Sequence, residues 1–393
     1  MYSLKMKDLI RDSFKGITPN YVDHSNVIVL NQKCIRNNQI DFSLARFHDS
    51  KKTYPSKKEL QVGDILINST GAGTAGRCAF IRELPKNYSV VADSHILVVR
   101  ISDFFIAGCV QYSLFNIEKL LQTFLDGSTG QGEFDKQRLL NVIIPIPNNP
   151  KYIYQFLSNL DKKIALNKQI NARLEQMAKT LYDYWFVQFD FPDANGKPYK
   201  SSGGEMVFDE ILKREIPKGW EVKSLGEIAD LYQPATLSEK ELNKNGQFLV
   251  YGANGIIGKY NKFNHENPVV AVACRGNSCG AINITQPKSW ITGNAMVVNP
   301  KNKNMCIDFI KNTLLVNNLD KVVSGSAQPQ ITRTNFAPLK VITPNESLLK
   351  LYSDIINPMF NKRINRIQQN TKLTQLRDFL LPMLMNGQVS VAE

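Results

Sequence analysis

No run of apolar residues in this 393-residue chain approaches the ~20 that a membrane-spanning helix needs. The longest, "FFIAGCV" at 104–110 and "VVAVAC" at 269–274, are far shorter. The opening "MYSLKMKDLIRDSFKG" is polar throughout and lacks the apolar core of a secretory signal, so a cytoplasmic chain without membrane association is expected. Cysteine is scarce: six residues with no CxxC pair, and no paired histidines beside them, which argues against zinc and for free thiols in a reducing compartment. The four histidines, His24, His48, His95 and His265, stand alone. No metal site is expected.

The motifs of energy-driven and group-transfer chemistry are missing as well. The string "GANGIIGKY" (252–260) has the wrong spacing for a phosphate-binding loop and carries Tyr after its Lys. An amino-methyltransferase needs Asn/Asp-Pro-Pro-aromatic; "NPMF" (357–360) lacks the second Pro and reads as the start of a helix. A nuclease motif assembled from Pro192, Asp193, Glu221 and Lys223 would straddle a loop-like stretch and is too degenerate to credit. These absences exclude most catalysts and leave a recognition device.

What is present is positive charge. Lys and Arg number 48 against 35 Asp and Glu, a formal net charge of +13. That balance favours a polyanionic partner, nucleic acid before an anionic membrane surface. At ~150 residues per domain the length predicts two or three domains.

The chain also repeats itself. "GSTGQGEFDKQRLLNVIIPIPN" (127–148) resembles "GSAQPQITRTNFAPLKVITPN" (325–345), and a long helical pattern follows each. At an offset of 199 residues Asn171 meets Asn370, Leu174 meets Leu373, Met177 meets Leu376, Leu181 meets Leu380, and Pro145 meets Pro344. The repeat also decides how to read "NSTGAGTAGRCAF" (68–80). Its Gly71, Gly73 and Gly76 form G-x-G-x-x-G, with Asp93 placed like a ribose-binding acid. A dinucleotide loop must open a helix, whereas here a strand pattern resumes within a few residues. The counterpart "NPVVAVACRGNSCGAINI" (267–284) retains only Gly276 and Gly280. A strand–turn–strand is therefore expected, and no cofactor in this chain.

Leu160, Ile164, Asn167, Asn171, Leu174, Ala178, Leu181 and Trp185 alternate at spacings of 4 and 3, a coiled-coil seam with polar residues in its middle. Ile356, Phe360, Ile367, Leu373, Leu380 and Leu384 form a less regular stripe. The predicted fold class is α+β: two similar mixed α/β target-recognition domains separated by two long antiparallel coiled-coil helices, an internal repeat with a pseudo-twofold axis. The predicted divisions are a first recognition domain at 1–150, a first long helix at 151–190, a linker at 191–216, a second recognition domain at 217–345 and a second long helix at 346–393. The second domain opens with "EIPKGWEVKSLGEIADLY" (215–232); the first has no such lead-in.

The run "RFHDSKKTYPSKK" (46–58) clusters Arg46, Lys51, Lys52, Lys57 and Lys58 near aromatic rings, a pattern suited to phosphate contact as well as to a solvated loop. The loops of both halves supply Ser69, Thr70, Arg77, Gln131, Gln137 and Arg138, then Arg275, Asn277, Gln328, Gln330 and Arg333, residue types that read base edges and also serve turns.

The chain resembles, over essentially its whole length, the DNA-specificity subunits of type I restriction–modification systems. The resemblance is carried by "LNQKCIRNNQIDFSLARFHDSKK" (30–52), "GDILINSTGAGTAGR" (63–77), "YDYWFVQFDFPDANGKPYKSSGGEMV" (182–207), "EIPKGWEVKSLGEIADLY" (215–232) and "LRDFLLPMLMNGQ" (376–388). It implies two recognition domains, each reading half of a bipartite double-stranded DNA target. It also implies helices that hold two DNA adenine methyltransferase subunits, and a translocating restriction subunit that joins them. On this reading the chain is not an enzyme, and S-adenosylmethionine, ATP and Mg belong to the partners. A restriction or methylation enzyme acting alone and a dinucleotide oxidoreductase are the alternatives.

Overall fold

The computed structural model describes residues 2–71, 73–126, 132–325 and 328–391. The chain divides into two compact units: Met1–Ala165 with Asn370–Glu393, and Leu166–Gln369. The first long helix, Pro150–Tyr182, and the second, Glu346–Met385, each contribute to both units.

In unit 1 an antiparallel sheet runs in the order Asp12–Lys15, Ile96–Arg100, Ile65–Asn68, Cys78–Phe80. Its central strands, Ile96–Arg100 and Ile65–Asn68, are apolar at every position but the last because both faces are covered. Side chains alternate across a strand. Ile65, Ile67, Leu97 and Val99 pack against the helix Phe104–Asn116, with Leu157 of the first long helix and Leu381, Leu384 and Met385 of the second in the same core. Leu66, Ile96 and Val98 face Leu30, Val90 and Ala92 of a second sheet, with Ile35 in the same cluster. In that sheet Ser89–Ala92 runs parallel to Val27–Leu30, and Arg46–His48 runs antiparallel to it. Asp103 caps the covering helix, accepting from the Ile106 amide at 2.8 Å.

Unit 2 repeats this plan. Its main sheet runs Ala229–Tyr232, Ala295–Pro300, Val270–Ala273, Ile282–Ile284, with helix Ile307–Val316 on one face. Val270, Val272, Met296 and Val298 join Phe309 and Ile310 of that helix, Trp185 and Phe186 after the first long helix, and Tyr352 and Ile356 of the second. Ala271, Ala295 and Val297 face Tyr251 and Ile291 of the smaller sheet, where Phe248–Gly252 pairs parallel with Trp290–Ile291.

The strand pairings add one correspondence between the halves and correct one sequence expectation. Tyr2–Lys5 pairs with Ile143–Ile146, as Glu221–Ser224 pairs with Lys340–Thr343. The Met6 amide donates to Val142 and the Leu225 amide to Leu339, both at 2.8 Å. Unit 1 therefore opens on the same strand and short helix as unit 2. The same pairings relate Val142 to Leu339, an offset of 197, so Pro344 corresponds to Pro147 and not to Pro145. The helices keep 199: the Asn171 side chain donates to the Arg363 carbonyl at 3.2 Å, and Asn370 to the Ile164 carbonyl at 3.1 Å. Two residues are thus gained between strand and helix in the second half. Also corrected is "NPMF": Pro358 lies inside the helix Glu346–Met385, not at its start.

Within each unit the long helices run antiparallel. In unit 2 the Asn167 amide donates to Gln369 Oε1 at 2.8 Å, and the Asn171 bond lies further along the first helix and further back along the second. In unit 1 Asp161 meets Arg377 and Ile164 meets Asn370. The predicted seam is the covered side: Ile164, Asn167, Ala178 and Trp185 are buried, and Leu160, Asn171, Leu174 and Leu181 half-buried. Asn345 caps the second helix, accepting from the Leu348 amide at 2.9 Å, and Gly387 with φ of 68° follows its end. Within unit 2, Phe191 stacks on Tyr199 at 4.6 Å and on Trp220 at 5.1 Å, and Asp190 accepts from the amide and hydroxyl of Ser201.

Candidate nucleic-acid interface

The glycine turn of unit 1 joins two antiparallel strands, Ile65–Asn68 and Cys78–Phe80, and opens no helix. Gly71, Gly73 and Gly76 take φ of 88°, 78° and 80°, the left-handed region that favours glycine. At Gly76 a side chain would also strike the backbone of Leu121 and Gln122, at 2.7 Å. Asp93 is buried and accepts from the His95 amide at 2.9 Å. Burial pushes its carboxyl up from the ordinary range. It is a turn residue, its carbonyl also accepting from the Ile96 amide at 3.0 Å.

The turn is fastened to segments distant in sequence. Gln32 Nε2 donates to the Thr70 carbonyl at 2.9 Å and to the Thr70 hydroxyl, which also bonds His95 Nδ1 at 3.0 Å. The Phe134 amide donates to the Ser69 carbonyl at 2.9 Å, and Thr70 bridges to Glu133. Unit 2 makes the same junction. The Gly276 amide donates to the Pro329 carbonyl at 3.1 Å, the Ile331 amide to the Cys274 carbonyl at 3.0 Å, and Arg275 bridges to Gln330. A short helix follows in each: Lys136–Leu140, capped by Asp135, and Arg333–Phe336, capped by Thr332.

The sequence-predicted residues fall into distinct positions. Gln137, Arg138, Arg275, Asn277, Gln328, Gln330 and Arg333 are exposed at these two junctions. Arg138 lies 4.5 Å from the Phe124 ring and donates to the Thr123 carbonyl at 2.9 Å, so its guanidinium is pre-positioned. Arg77 is half-buried beside Glu118, whose carboxyl burial pushes up and Arg77 draws back. Thr70 is half-buried in its hydrogen bonds, and Ser69 is buried at 2 % exposure. Gln131 lies outside the described residues.

The basic run sits apart from the turn, on the second sheet and the loop after it. Arg46 stacks 3.5 Å from the centroid of the Tyr21 ring. His48 is buried: Nδ1 accepts from the Asn20 amide and Nε2 bonds the Lys52 carbonyl, both at 3.0 Å. Lys51, Lys52 and Lys57 are exposed. Lys58 turns inward, donating to the Gly16 carbonyl at 3.0 Å and to that of Lys15; burial lowers its basicity, with Lys57 adding to the effect.

Sequence reasoning missed the residues that hold these surfaces in place: Gln32 and His95 behind Thr70, Tyr21 under Arg46, and the ionic groups Asp161, Arg82, Arg377, Asp308 and Arg363 along the helices. Each is an ordinary polar residue until its long-range partner is known. Among the described residues no group of His, Cys, Asp and Glu is arranged to hold a metal, and no helix is long and apolar enough to cross a membrane.

The family model described as "Type I restriction modification DNA specificity domain" matches the chain twice, over residues 15–176 and 217–375. The specificity subunit of the type I restriction enzyme HindI from Haemophilus influenzae is 22% identical over 446 residues, covering 93% of this chain and 95% of its own. The MjaIX specificity subunit from Methanocaldococcus jannaschii is 27% identical over 307 residues, covering 72% and 69%. The crystal structure of a type I restriction–modification system S subunit from M. genitalium superposes with a TM-score of 0.59 at 16% identity, covering 98% of this chain and 95% of that one, so the fold is shared. With two matched segments that coincide with the two structural repeats, the chain belongs to the type I restriction modification DNA specificity family.

Proposed function

We propose that the two repeats each read one half of a bipartite duplex target. The long helices set the gap between the halves and dock two adenine methyltransferase subunits, and a translocating restriction subunit completes the assembly. The chain itself is non-catalytic on this reading; S-adenosylmethionine, ATP and Mg act in the partners. The division into recognition domains at 1–150 and 217–345, joined through helices and a linker at 191–216, is part of the proposal. One observation carries it: both units bring a glycine turn and a later polar loop to a shared edge, and both leave Arg, Gln or Asn side chains exposed there.

The test is to map methylated adenines in cells carrying this chain with its methyltransferase. Arg275→Ala or Arg333→Ala is expected to change base preference in one half-site by ~1–3 kcal/mol and leave the other half unaltered. Loss of preference in both halves at once would overturn the division of labour. Methyl transfer by the purified chain alone would overturn the non-catalytic reading.

Phosphate contact gives a separate expectation. Replacing Lys51, Lys52 and Lys57 by Ala should weaken binding to all sequences alike. It should also flatten the dependence of log K on log salt by roughly one unit per lost contact. Lys58→Ala, which removes an inward hydrogen-bond donor, should lower stability and leave the slope alone. Fluorescence titrations across a salt series separate the two; an unchanged slope in the triple variant would make the run a solvated loop.

A further inference from the structure

Two ionic junctions join the long helices, and their polarities are opposite. In unit 1 a carboxylate is central. Asp161, 5 % exposed on the first helix, accepts from Arg377 of the second at 2.8 Å, from Arg82 at 3.1 Å and from the Tyr112 hydroxyl at 2.6 Å. In unit 2 a guanidinium is central. Arg363 of the second helix meets Glu175 of the first and Asp308 of the body, both at 3.3 Å, and Lys311 also holds Glu175. The first helix supplies the acid and the second the arginine in both. Each junction also reaches into its own unit: Arg82 and Tyr112 in one, Asp308 in the other.

The apolar part of the interface specifies register weakly; the Asn167, Asn171 and Asn370 bonds favour the observed register but are neutral. Apolar stripes of mixed Leu, Ile, Ala and Phe re-form after a slip of one turn. Asp161 and Asp308 are buried and each loses an arginine if the second helix slips, which is costly; Glu175 is 47 % exposed and counts for less. If the second helix slipped so that Arg366 took the place of Arg363, Leu380 would take the place of Arg377 and leave Asp161 facing an aliphatic chain. The opposite slip, by four, would bring up Met359 and Leu373. No one-turn slip satisfies both junctions.

We propose that Asp161–Arg377 and Glu175–Arg363 are the register locks of the helix pair, positioning residues that confine the complex to one gap between half-sites. This rests on the proposed reading of a bipartite target. A slip of one turn moves a helix by ~5.4 Å, one to two base pairs at ~3.4 Å each. Loss of a lock therefore relaxes the gap by that amount and leaves the half-site bases untouched.

The test uses the full chain with its methyltransferase and maps methylated adenines for the parent, Asp161→Asn, Arg377→Met and Glu175→Gln. Lys350→Ala, which removes only an exposed ion pair with Asp354, serves as control. The parent and the control should keep a single gap. The lock variants should also methylate the same half-sites at gaps one or two base pairs away, roughly a hundredfold or more above the parent's rate at those gaps for the buried Asp161–Arg377 pair, the factor an unpaired buried charge costs, and less for Glu175→Gln. Uniformly reduced methylation at an unchanged gap would show that the junctions only stabilise, and would overturn the proposal. If the parent's own target is not bipartite, the underlying reading fails, and that outcome is visible before any variant is examined. Should the neutralising variants fail to fold, Arg377→Lys keeps the charge and loses the guanidinium geometry. It should fold and show partial relaxation; a folded Arg377→Lys with one strict gap would overturn the proposal as well.

Discussion

Lengthening both long helices by four residues, after Lys168 in the first and after Ile367 in the second, is expected to widen the gap between the half-sites by about two base pairs. Four residues add ~6 Å at 1.5 Å each, against ~3.4 Å per base pair. They turn the helix by ~400°, only ~40° more than a full turn, so side chains beyond the insertion keep nearly the same face. The insertion points follow from the antiparallel pairing. They leave Asn167 with Gln369, Asn370 with Ile164 and Asp161 with Arg377 on one side, and Asn171 and Glu175 with Arg363 on the other. Inserting into one helix alone forces the Asn167 and Asn171 bonds out of register and should abolish activity. A matched insertion of two residues turns the distal part by ~200° and should abolish it too. Mapping methylated adenines reads all three; an active four-residue variant with the parental gap would show that the helices do not measure it.

Phe186→Ala is expected to be the most damaging single substitution in unit 2, at a cost of ~3–5 kcal/mol. Phe186 is 6 % exposed and lies in the turn of wider helix, Asp183–Val187, that ends the first long helix. Its ring centroid is 4.9 Å from Tyr352, 5.0 Å from Phe309, 5.1 Å from Tyr182 and 5.9 Å from Trp220. One ring thus joins the first helix, the second helix, the helix on the main sheet and the strand lead-in. A cavity there cannot close without moving several elements at once. Against a typical total stability of ~5–15 kcal/mol, such a loss should melt unit 2 well before unit 1. Calorimetry should show an early transition for the variant, and protection of the second half-site should disappear first. A loss below ~1 kcal/mol would mean that the cluster repacks.

Local chemistry was legible from the residues in order. The seam from Leu160 to Trp185 follows from 4 and 3 spacing, and every member is covered at least in part. The strand–turn–strand at Gly71–Gly76 follows from a strand pattern resuming at Cys78, and the repeat from matched polar and apolar positions in two places. These signals survive because helix and strand periodicity, and the glycine's freedom at positive φ, are properties of a few neighbouring residues.

Tertiary structure decided what depends on partners far along the chain. The strand offset of 197 against the helix offset of 199 emerged only from hydrogen bonds such as Met6 to Val142 and Leu225 to Leu339. Tyr2–Lys5 became the counterpart of Glu221–Ser224 only once each was paired with its later strand. Lys58 and Arg46 look alike in the basic run, yet one is bound to backbone carbonyls and the other rests on Tyr21. Asp161 is an unremarked acid beside the seam until Arg82, Tyr112 and Arg377 surround it. The physical reason is common to all four. A periodic pattern says which face of an element is covered, while the worth of a charge, a cation or a strand edge is set by the group that folding places opposite it.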